Sequence, residues 1–179
     1  MSRRPAPLLS RFLRDERGVS ILEFSFIAPV MILMFFGIAE LGQGLVAQRR
    51  TQHIASAIGD LTAQASSVSS GDTANIFDAG QQIMAPLPIT GLTMRLTSVT
   101  TNASSVPKVD WSDARNISAN TVGATYALPS GLTTGPSQTV IVSEATYNYS
   151  SPVKYVLPNG MQFSLKSYLV PRTGTVTHS

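Results

Sequence analysis

Apolar and polar positions divide the chain into three stretches. From Val19 to Ala39, Glu23 is the only ionisable side chain. As a helix, this run of about 21 residues spans about 31 Å at 1.5 Å per residue, close to the ~30 Å hydrocarbon core of a bilayer. The pattern predicts a transmembrane helix. Pro29 lies inside it and has no N–H for the carbonyl of Ser25, so it loosens or kinks the segment there. From Ala47, apolar residues recur at helical spacing (Ile54, Ile58, Leu61, Ala65), with Gln48, Arg49, Arg50, Gln52, His53 and Asp60 on other faces. One long helix is expected, its first half in lipid and its second half against a soluble domain. Gly42, Gly44 and Gly59 are candidates for bending it.

Residues 66–71 read as a short flexible break. Asp72 is the expected N-cap of a second helix through Met84, with Ile76, Phe77, Gly80, Ile83 and Met84 on its inner face. Pro86 and Pro88 stop it. The period then changes to two. Leu92, Met94 and Leu96 alternate with Thr93, Arg95 and Thr97, and Pro107, Val109 and Trp111 alternate with Lys108 and Asp110. Residues 129–137, rich in Gly, Pro, Ser and Thr, read as a loop. The strongest β segment is Thr139 to Tyr149. Ser150-Ser151-Pro152 turns the chain, and Val153 to Leu157 and Met161 to Val170 follow as strands joined at Pro158-Asn159-Gly160. The expected fold is α+β: a long N-terminal helix, a second helix, and an antiparallel sheet of four or five strands with one face on helix and the other wet.

A length of 179 residues suits one domain plus an anchor. The divisions expected are a cytoplasmic leader over 1–18, the transmembrane helix over 19–40, its extramembrane continuation over 41–65, and an extracytoplasmic α+β domain over 66–179. The net charge of +3 raises the question of nucleic acid. Five of the 13 basic residues (Arg3, Arg4, Arg11, Arg14 and Arg17) precede Gly18, however, leaving eight bases and eight acids in the remainder. No dispersed basic surface exists to track phosphates, so no nucleic acid is expected. The same five arginines predict a cytoplasmic N-terminus. With no cysteine in the chain, disulfides, thiolate nucleophiles and cysteine-based metal sites are excluded.

Glu23 is the anomaly. Unpaired at the bilayer centre, an acidic residue costs roughly 2.5–3.5 kcal/mol on insertion scales, so it needs a compensating charge. A peptidase cutting after Gly18 would free an α-amine at Val19, close to that carboxylate. Conventional signal-peptidase processing fits less well, because its apolar core is about 7–15 residues long and ends at small residues.

Glu16-Arg17-Gly18-Val19-Ser20-Ile21-Leu22-Glu23-Phe24, then Ala28-Pro29, then Phe36-Gly37-Ile38-Ala39-Glu40-Leu41-Gly42, together resemble the N-terminal signature of TadE-like pseudopilins of the tight-adherence (Flp-type IV) pilus system. The resemblance covers about the first third of the chain, through Arg49 to Asp60. Further on, Tyr147-Asn148-Tyr149 with Pro152 is similar to the β-rich ends of such proteins. Gln43 stands where many relatives carry a basic residue. The member of the family (TadE-, TadF- or TadG-like) stays open.

The resemblance implies a non-catalytic minor pilin in the bacterial inner membrane, cut between Gly18 and Val19 by a prepilin peptidase. Its other implied partners are the inner-membrane assembly platform, the major pilin and other minor pilins. Glu23 would pair with an α-amine, its own or a neighbour's, and Pro29 would let the helix stretch as it leaves lipid. No cofactor is implied. The alternative is an unprocessed single-pass anchor that presents a binding or adhesive module. An enzyme has little support: Gly-x-Ser-x-Gly and a Gly-x4-Gly-Lys phosphate loop are missing, and no Ser-x-x-Lys context resembles that of a known nucleophile. His53 and His178 read as surface residues, Trp111 as core, Glu40 as a boundary residue, and Asp110 and Asp113 as a solvated pair. The three Asn-x-Ser sequences, at Asn102, Asn116 and Asn148, read as chance.

Overall fold

A computed structural model describes residues 18–133, 135–154 and 156–179. The basic leader ahead of Gly18, with its five arginines, lies outside the described residues.

Helix α1, Val19–Gln64, is continuous over 46 residues, about 69 Å at 1.5 Å per residue. Its two halves differ in what surrounds them. From Val19 to Ile38 nearly every large apolar side chain is exposed, Phe26 at 77% and Ile38 at 68%. A helix apolar all round needs lipid or other helices about it, and this one is long and apolar enough to cross a membrane once. From Glu40 onward one face is buried, through Gly44, Ala47, Thr51, Ile54, Ala55, Ile58, Gly59, Thr62 and Ala63.

Helix α2, Ser70–Met84, follows a two-residue strand β1, Ser67–Val68. Its N-cap is Ser69, not Asp72. The Ser69 hydroxyl accepts from the Asp72 N–H at 3.2 Å, and Asp72 accepts from the Ser69 N–H at 2.9 Å, a reciprocal capping box. These hydrogen bonds hold the exposed Asp72 carboxyl below its ordinary range. Thr73, Phe77, Gly80 and Met84 are buried, with Ile76 and Ile83 packed against them. At the other end Arg50 of α1 donates to the Ile83 carbonyl at 2.8 Å, placing a cation where α2 exposes its unpaired carbonyls.

Four antiparallel strands form one sheet in the order β3-β2-β4-β5, built from β2 (Leu92–Thr101), β3 (Pro107–Arg115), β4 (Thr139–Tyr149) and β5 (Met161–Leu169). Leu92, Met94 and Leu96 of β2 meet Ile141, Ala145 and Tyr147 of β4 in the helix-facing core, together with Ile54, Ile58, Phe77 and Met84. The tight turn after Leu157 needs Gly160, whose φ is +69° and whose added Cβ would sit 2.3 Å from the Tyr149 carbonyl oxygen. A last short strand, β6 (Thr177–His178), pairs in parallel with β1.

The structure departs from the expected pattern in four further places. The Val153–Leu157 strand is not formed: its described residues are a loop, with Lys154 at φ +54°. Val109 and Trp111 are both buried but face opposite ways, because the register slips between Ser98 and Val99 and bulges out Asp110. The far face of the sheet is not simply wet. Tyr126 and Leu128 of the 116–138 segment cover Val99, Val140 and Val142 there. Gly59 serves close approach: an added Cβ would lie 2.5 Å from Ser143 Oγ and 2.6 Å from Leu169 Cδ1.

Candidate functional site

Helix α1 and its N-cap, Gly18, carry every residue that the sequence nominated. Gly18 begins it with φ −78° and ψ −23°, an ordinary right-handed conformation, and a Cβ added there would meet nothing within 4 Å. Among the described residues, neither backbone nor packing requires glycine at this position. Val19 and Glu23 lie one turn apart on the same face. Helical side chains tilt toward the N-terminus, so a side chain at position 23 is directed toward the turn that holds Val19. Glu23 is exposed, and among the described residues no hydrogen bond or ion pair engages it. Pro29 stands higher in the same exposed stretch, within a helix that continues past it.

Where α1 meets the rest of the chain, the contacts are of a different kind. Glu40 is 2% exposed, and its carboxylate accepts from the backbone N–H of Val156 at 2.7 Å. The Val156 methyl lies where a Cβ on Gly37 would come within 3.3 Å of it. Higher up, Tyr149 donates its phenol to Gln43 at 3.5 Å, Ser143 Oγ donates to the Ala55 carbonyl at 2.5 Å, and the Arg172 N–H donates to the Ala63 carbonyl at 3.0 Å. These contacts fix β4 antiparallel to α1, with the β4–β5 loop at the membrane end. Glu40 is therefore an anchoring residue rather than a boundary charge. Its place at the end of the apolar run was the available signal; its acceptor role depends on a loop far along the chain.

Two further polar clusters were not anticipated. On the far face of the sheet, Glu144 forms ion pairs with Arg95 and Lys166, and Tyr126 donates to it at 3.1 Å. Burial pushes the Glu144 carboxyl up, but the hydrogen bonds from Lys166 and Arg95 outweigh it and hold the group below its usual value. The bond to Glu144 raises Lys166. Near the C-terminus, Asp113 accepts from Thr73 at 2.6 Å and lies 2.9 Å from His178 Nε2, while the Trp111 indole donates to the Val176 carbonyl at 2.8 Å. His178 and Asp113 are thus partners, not isolated surface groups. Asp110, in the bulge, accepts from Ser98 and Thr100. Each cluster ties segments of the fold together.

No curated protein and no solved structure matches the chain. The family model described as TadE-like protein matches residues 18–59. That stretch runs from the N-cap of α1 to its close approach with Ser143, and its similarity to the TadE-like family agrees with the resemblance read about Gly18 and Glu23.

Proposed function

We propose that the chain is a non-catalytic minor pilin or pseudopilin of a tight-adherence pilus, matured by a prepilin peptidase and drawn into assembly through Glu23. The observation that carries this reading is that the TadE-like match begins at Gly18 and encloses Val19, Glu23 and Pro29. A glycine that neither conformation nor packing requires among the described residues supports it, since a bare α-carbon leaves the scissile carbonyl open to a protease. Hydrolysis there adds water across the Gly18–Val19 bond, leaving a carboxylate on Gly18 and an ammonium on Val19. The Glu23 side chain, directed toward that turn, answers the new charge, on its own chain or on a neighbour. At low dielectric the attraction is strong, although desolvation offsets part of it.

In this reading residues 1–18 are the leader on the cytoplasmic side of the bacterial inner membrane, and 19–40 are the span. Residues 41–65 continue the helix into the extracytoplasmic α+β domain, 66–179. The peptidase, the assembly platform, the major pilin and other minor pilins are the partners. Pro29 loosens the helix for its passage from lipid into a bundle of similar helices. The test is piliation in a Glu23→Ala strain. Matured protein without pili is the expected result, and normal pili would remove the role assigned to the carboxylate.

A further inference from the structure

The β4–β5 loop reaches lower on α1 than any other described part of the sheet. Its Val156 side chain packs at Gly37, and its Val156 N–H is held by Glu40. Gly37 lies about 3 Å, two residues at 1.5 Å each, inside the end of the Val19–Ala39 apolar run. Exposed apolar side chains also continue above the contact, with Leu41 48%, Leu45 57% and Val46 45% exposed. The loop is therefore bracketed along the helix axis by surface that avoids water.

The loop itself suits that level. Val153 is 49% and Val156 44% exposed, and Lys154 is exposed between them. Three of its backbone donors have acceptors: Ser151 Oγ accepts from the Val153 and Lys154 N–H groups at 3.3 and 3.4 Å, and Glu40 of α1 accepts from Val156. Unpaired N–H groups make contact with hydrocarbon costly, and pairing those of Val153, Lys154 and Val156 lowers that cost. A lysine between two valines places a cation beside anionic headgroups while the methyl groups enter the acyl boundary.

We propose that the described residues of the β4–β5 loop, 150–154 and 156–157, are a second membrane contact: an interfacial element that inserts Val153 and Val156 beside α1 and sets the domain at a fixed angle on the bilayer. Its occupant is the lipid interface rather than another protein. The inference rests on α1 spanning the membrane, so the experiment reports on both.

Because the chain has no cysteine, single nitroxide labels can be placed at Val153→Cys, Ile32→Cys and Ser130→Cys in the full chain. The labelled proteins are reconstituted in phosphatidylethanolamine–phosphatidylglycerol vesicles. Power saturation then compares collisions with oxygen, which concentrates in lipid, and with a water-soluble nickel chelate. The expected order of oxygen preference is Ile32 first, Val153 next, and Ser130, at the other end of the sheet, last. A label at Val153 as open to nickel as the one at Ser130 overturns the loop contact while Ile32 still reports the span. Shielding of Val153 from both reagents indicates a protein neighbour and also overturns it. If Ile32 itself meets nickel, the span and the loop contact fall together.

Discussion

The carboxylate of Glu40 accepts a hydrogen bond at 2.7 Å from the backbone N–H of Val156, a residue 116 positions further along the chain. One end of this bond sits where an apolar helix ends, and the other in a loop between two strands. The contact joins anchor to domain at the place where a hinge would otherwise lie. Replacing Glu40 by Ala removes a charged acceptor, a loss of about 1.5–3 kcal/mol. The Val156 N–H then loses its acceptor at the membrane end of the domain. Glu40→Gln keeps an acceptor and should lose less. Denaturant midpoints in detergent micelles check this, and an unchanged Glu40→Ala midpoint would deny the clamp.

Two glycines of α1 should respond to alanine with opposite signs. Gly59→Ala drives a methyl into Ser143 and Leu169, and overpacking of this kind costs about 1–3 kcal/mol. At Gly42 a Cβ meets nothing within 4 Å, so alanine should gain up to about 1 kcal/mol from helix propensity alone. The two substitutions can be compared in one thermal-melting series. A destabilised Gly42→Ala, or a neutral Gly59→Ala, would contradict the packing described.

The anchor and the central strands were legible because their patterns are local. An all-apolar run, a 3.6-residue repeat and the alternation of Leu92, Met94 and Leu96 each state a face without reference to the rest of the chain. Thr139–Tyr149 was legible to the residue for the same reason. The capping box was half legible: Asp72 belongs to it, but as the side chain that reaches back to Ser69. The segment from Val153 to Leu157 misled because β-prone residues fit a strand, while the Val153, Lys154 and Val156 donors are taken by Ser151 and Glu40 and the segment is flanked by Pro152 and Pro158. The bulge at Asp110 is invisible to a period-two count, since Val109 and Trp111 are buried on opposite faces. The pairings of β1 with β6 and of Asp113 with His178 depend on tertiary placement, which spacing does not record.

Acid and base should find the same cluster from opposite sides. Glu144 is held below its usual value of 4.5. With the folded value below the unfolded one, its stabilisation is present above about that pH and is lost as pH falls through the folded value. Lys166 is raised above its usual 10.5, so its contribution is complete below that pH and disappears as pH rises through the folded value. Glu144→Gln should flatten both limbs of a stability–pH curve. An acid limb identical to wild type would show that Glu144 contributes nothing to it.

Trp111, the chain's single tryptophan, ties β3 to the C-terminal segment through Val176. Trp111→Phe gives up the indole donor and part of the ring volume, a loss of about 1.5–3 kcal/mol. The β1–β6 pair should loosen first. Faster hydrogen exchange at the Thr177 and Ser179 amides, which donate to Ser66 and Val68, would report it. Unchanged exchange there would mean that the indole does not hold the C-terminal segment.

The central claim is that this chain reaches its working form by losing everything ahead of Val19. Top-down mass spectrometry of the protein isolated from its own cells measures that directly. The account predicts a mature chain whose first residue is Val19, and its loss when Gly18 is replaced by Ala. A chain that begins at Met1 or Ser2 in assembled, membrane-bound protein would contradict it.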